Sequence, residues 1–126
     1  MAESVMLKKA KDFAVEIIEL CKLIKTEKRE TVLTNQLLRS ATSIGANIHE
    51  SKYAQSSADF VSKMQIALKE CYESEYWLEL LSRTSYIDEN EYKIVLNHCG
   101  AIRRMLISSI NTTKRNRVNK ENNYGK

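Results

Sequence analysis

Apolar side chains recur every three or four residues along nearly the whole chain, and nowhere do they alternate one by one. At 3.6 residues per turn this spacing places them on one face of a helix, and it leaves no half-buried strand. In the first segment, about Ser4 to Lys25, the stripe is Ala10, Phe13, Ile17, Leu20 and Ile24, with Ala14 and Cys21 beside it. The polar run Thr26–Glu30 interrupts the pattern. A second segment, about Thr31 to Tyr53, repeats it with Leu33, Leu37, Ala41, Ile44 and Ile48. Gly45 lies inside that stripe, where glycine costs a helix about 1 kcal/mol relative to alanine. Close approach of a neighbouring helix, or a local kink, would offset the cost.

The third segment, about Ser57 to Ser85, carries Phe60, Met64, Ala67, Cys71, Leu78 and Leu81, broken at Ser74. Ser56 with Asp59 resembles a capping box ahead of it. Asp88 with Glu91 gives a second cap-like signal. It opens a fourth segment, about Glu89 to Thr113, whose stripe is Tyr92, Val95, Cys99, Ile102 and Leu106. The chain has no proline and only three glycines, so it lacks the turns of a many-stranded β protein and the glycine loops that cradle phosphates. Four long helices with short links pack as antiparallel neighbours. The expected fold is therefore all-α, an up-down-up-down four-helix bundle over residues 1–113, with residues 114–126 as a disordered basic tail.

Charge supports that division. The net charge is +4. Residues 1–110 hold 15 basic and 15 acidic side chains, so the body is neutral. Beyond them Lys114, Arg115, Arg117, Lys120 and Lys126 face Glu121 alone. Such an arm either keeps the protein soluble or seeks nucleic acid, because Lys and Arg neutralise phosphates and release counterions. Under the second reading Lys114, Arg115, Arg117 and Lys120, joined by Arg103 and Arg104, contact phosphate.

Few residues suggest chemistry. Di-metal bundles place Glu three residues before His. Here Ala46 precedes His49 and Val95 precedes His98, so no metal site and no cofactor are expected. Cys21, Cys71 and Cys99 are odd in number and far apart, and they fall on apolar faces, as buried thiols of a reducing cytoplasm do. No apolar run approaches the roughly 18 residues of a membrane span. The N-terminus does not read as a signal peptide. No catalytic motif appears, and the chain is read as non-enzymatic and cytoplasmic. Arg39, Ser43, Asn47 and Glu50 form a polar stripe beside the apolar one on the second helix. In order of preference they belong to a core edge or subunit interface, to a solvated face, or to a ligand site. Tyr72 and Tyr76, one turn apart, point to an oligomer interface, since tyrosine is enriched there.

The stretch Ser40-Ala41-Thr42-Ser43-Ile44-Gly45-Ala46-Asn47-Ile48-His49-Glu50 resembles the S-I-x-A-N-I-x-E signature of the bacterial 23S rRNA intervening-sequence proteins. Asp59-Phe60, Ile66-Ala67-Leu68-Lys69-Glu70 and Glu73 through Leu81 resemble further elements of that family, and the likeness covers roughly residues 8 to 113. Gly45 stands where the family often has proline and Ser51 where it often has glycine. The family is similar in fold to the accessory variability protein of diversity-generating retroelements, a basic homopentamer that binds a reverse transcriptase and nucleic acid. The resemblance thus implies a left-handed four-helix bundle and a homo-oligomer, with a pentamer favoured. It also implies an accessory role with RNA, or with a protein such as a reverse transcriptase, as partner. A protein-binding scaffold without nucleic-acid affinity is the alternative.

Overall fold

The computed structural model describes residues 3–124. It consists of four helices in order, α1 (Val5–Lys28), α2 (Val32–Ser51), α3 (Ser57–Arg83) and α4 (Glu89–Tyr124). Each helix packs on its neighbours in sequence, and α4 closes the square against α1. Links of three to five residues between long helices force consecutive helices to run antiparallel. The α2–α3 seam is the most extensive and the α1–α4 seam the loosest.

The apolar stripes become the core. Phe13, Ile17, Leu37, Ile44, Met64, Leu78, Ile102 and Leu106 are buried, as are the three free cysteines. Each large side chain so buried contributes about 1.5–3 kcal/mol. Leu33, Phe60 and Tyr92 pack against the core from its edge. Gly45 marks a close helix crossing. A Cβ placed there would meet Ala10 Cβ of α1 at 3.6 Å.

Local hydrogen bonds set the helix starts. Ser4 Oγ accepts from Leu7 N at 3.1 Å and Ser56 Oγ accepts from Asp59 N at 3.0 Å. Asp88 Oδ1 accepts from Glu91 N at 2.8 Å. At α2 the formal N-cap, Thr31, makes no side-chain cap. Glu30 replaces it, accepting from Leu33 N at 2.7 Å and Thr34 N at 2.9 Å. The polar run before α2 is thus a cap as well as a break.

The C-terminal end differs from the expectation. α4 does not stop near Thr113 in a disordered tail; it continues as helix through Tyr124. Its last buried side chain is Ile110, and Lys114 through Asn122 are all exposed. About 14 residues, or 21 Å at 1.5 Å per residue, project past the packed part. No proline or glycine interrupts them before Gly125, which with Lys126 lies outside the described residues. Apolar spacing marks only helix that packs, and Lys114 through Asn122 stay open to solvent.

Candidate nucleic-acid interface

The polar stripe of α2 lies along the α2–α3 seam and is spent on internal contacts. Arg39 reaches across to Glu70 at 3.5 Å and also pairs with Glu73. The Arg39 guanidinium holds the Glu73 carboxyl below its usual range, and Trp77 Nε1 donates to the same carboxylate at 3.3 Å. Ser43 Oγ donates to Arg39 O at 2.7 Å, and Asn47 Nδ2 donates to Ser43 O at 2.8 Å. Glu50 sits 3.5 Å from Lys63 of α3. Arg39 is half-exposed, so solvent screens the pair and limits it to about 1 kcal/mol. Beneath this row Ser40 and Ser74 share a buried hydrogen bond of 2.9 Å. Ser74 interrupts the α3 stripe because it has a hydroxyl partner there. A serine at an inward position on each of two consecutive helices is the sequence signal for the pair.

Arg103 and Arg104 occupy a different face. Arg103 Nε donates to Glu75 Oε1 at 2.8 Å, and its guanidinium lies 5.8 Å from the Tyr72 ring centre. Tyr72 and Tyr76 are 50% and 55% exposed. They serve separate contacts, since Tyr76 meets Trp77 edge-on at 5.0 Å. Arg104 is exposed, and among the described residues no carboxylate lies within ion-pair distance of it. Lys114, Arg115, Arg117 and Lys120 sit on the projecting part of α4, open to solvent. Arg117 and Lys120 continue the inward line of Cys99, Ile102, Leu106 and Ile110, so that line turns from apolar to cationic where it leaves the bundle.

His98 pairs with Glu16 of α1 at 2.9 Å beside a cleft of about 310 Å³. A larger cleft of about 680 Å³ opens at the end of the bundle between Leu23, Lys28, Tyr86 and Tyr92. Among the described residues no group of three or more His, Cys, Asp or Glu is placed to hold a metal ion. Burial pushes the Cys21 thiol up to about 11, and the contact with Cys71 raises that of Cys99, so both resist ionisation. No described helix is long and apolar enough to cross a membrane.

Residues 2–108 match the family described as 23S rRNA-intervening sequence protein. The chain belongs to this family. A solved member of the S23 ribosomal protein family, a protein of unknown function from Bacteroides thetaiotaomicron VPI-5482, is 51% identical. The match covers 84% of this chain and 98% of that one, with a TM-score of 0.83. No curated protein matches significantly. The stripe of α2, Arg103 and Arg104 all fall inside the region shared with the intervening-sequence family. The cationic projection of α4 falls beyond it.

Proposed function

We propose that this intervening-sequence family protein is a non-enzymatic, homo-oligomeric module that binds RNA through the cationic projection of α4. The carrying observation is that projection. Lys114, Arg115, Arg117 and Lys120 are all exposed on one continuous helix, opposed only by Glu121. Arg117 and Lys120 lie one turn apart on one face of that helix, and among the described residues none of the four is within ion-pair distance of an acid. The neutral body makes a single copy a weak binder. A pentamer would gather about twenty positive charges, and clustered cations both steer a polyanion and multiply weak contacts.

The test replaces Lys114, Arg115, Arg117 and Lys120 with glutamine in the full chain and titrates a structured RNA at several salt concentrations. The parent protein loses affinity steeply as salt rises. The variant binds more weakly, and its slope of log affinity against log salt falls by about three. Equal affinity and slope in the two proteins would refute the assignment.

A second reading, a protein-binding scaffold, is favoured by the exposure of Tyr72 and Tyr76 on α3. It predicts salt-insensitive association with a protein and no RNA affinity.

A further inference from the structure

Gly100 is buried, yet among the described residues no neighbouring helix comes within 4 Å of a Cβ built there. A Cβ placed there would meet two atoms within 4 Å, Arg104 Nη1 at 3.2 Å and Arg103 Nη2 at 3.4 Å. Two guanidinium groups thus fold back over the same bare turn of α4. Like charges this close repel, and an anion between them would relieve the repulsion. Arg103 is fixed in this pose from the other side, because Glu75 holds its Nε while its Nη2 remains over Gly100. Glu75 neutralises one of the two charges. Arg104 has no such partner among the described residues.

Tyr72 stands next to Arg103, one member of this pair. One side of its ring receives the Arg103 guanidinium, and half of the residue remains open to solvent. An open aromatic ring beside paired cations is the recurring platform for an unpaired base and its phosphate. The cations also continue in register. Lys114 and Arg115 follow Arg103 and Arg104 by eleven residues, three turns on, so they lie on the same face about 16 Å further along α4.

We propose that Tyr72, Arg103 and Arg104 form a seat for an unpaired nucleotide of RNA, its base stacked on Tyr72 and its phosphate bridging the two arginines above Gly100. The strand then runs along α4 to Lys114 and Arg115. The proposal rests on the RNA-binding reading above and adds where, and in which form, the RNA is held. A side chain at position 100 would displace both guanidinium groups by a few tenths of an ångström, enough to disturb a phosphate bridged between them.

The test uses a fluorescein-labelled oligouridylate, alone or annealed to oligoadenylate, with the full-length protein. Tyr72→Leu lowers affinity for the single strand about tenfold and leaves the duplex nearly unaffected. Arg104→Gln weakens both and reduces the salt slope by about 0.7. Gly100→Ala weakens single-strand binding while raising the unfolding midpoint, since alanine is the better helix former and the displaced groups are flexible side-chain ends. A purely structural role for Gly100 would not couple higher stability to weaker binding. Single-strand affinities of Tyr72→Leu and Gly100→Ala equal to the parent's would overturn the seat. The RNA-binding reading would survive that result if the four-glutamine variant still lost affinity. No binding by the parent would overturn both. A change in solution mass on Tyr72→Leu would place that ring in a subunit contact and also overturn the seat.

Discussion

Single side chains decide much of the local behaviour. Burial pushes the Glu30 carboxyl up, but the amides of Leu33 and Thr34 bind its charged form and hold it below the ordinary value. A lowered folded value means the stabilisation is complete above the unfolded value, about 4.3, and is lost as pH falls through the folded one. Glu30→Ala should therefore cost about 1 kcal/mol at neutral pH, and the difference from the parent should shrink as unfolding is measured at successively lower pH. The cysteines make a second prediction. Cys21, Cys71 and Cys99 are at most 2% exposed, and the thiols of Cys21 and Cys99 are held protonated. A thiol reagent at neutral pH should label none of them in the native protein and all three in denaturant. Their burial is legible in the sequence, because each sits in an apolar stripe. The Ser40–Ser74 bond, the Arg103–Glu75 pair and the Glu16–His98 pair are not, since each joins residues at least 28 positions apart and depends on how the helices face one another.

At the level of elements, the sequence locates the helices and their caps but not every end. The apolar repeat ends at Ile110, and with it the evidence for packing; the helix itself goes on because nothing before Gly125 breaks it. Asn116→Pro should cut helical ellipticity while leaving the unfolding free energy within about 0.5 kcal/mol of the parent, because Lys114 through Asn122 are exposed. The end of α1 is different. Arg29 closes it in the left-handed conformation, φ 55°, where a side chain is disfavoured and glycine is usual. Arg29→Gly should stabilise the fold by about 0.5 kcal/mol, read as a higher midpoint in thermal denaturation. No pattern in the sequence marks that position, since the left-handed turn falls on a charged residue with no glycine nearby.

For the whole molecule, the distribution of charge separates a neutral bundle from a cationic projection. The bundle is shared with the intervening-sequence family; the projection lies past the matched residues. The proposed RNA binding goes with assembly, because assembly multiplies the few exposed cations of one copy. The most direct measurement is solution mass by light scattering, at low and high salt, with and without a structured RNA. The expected result is a multimer, a pentamer in the favoured case, whose mass is unchanged by salt and rises on adding RNA at low salt only. A monomer whose mass is indifferent to RNA would contradict it.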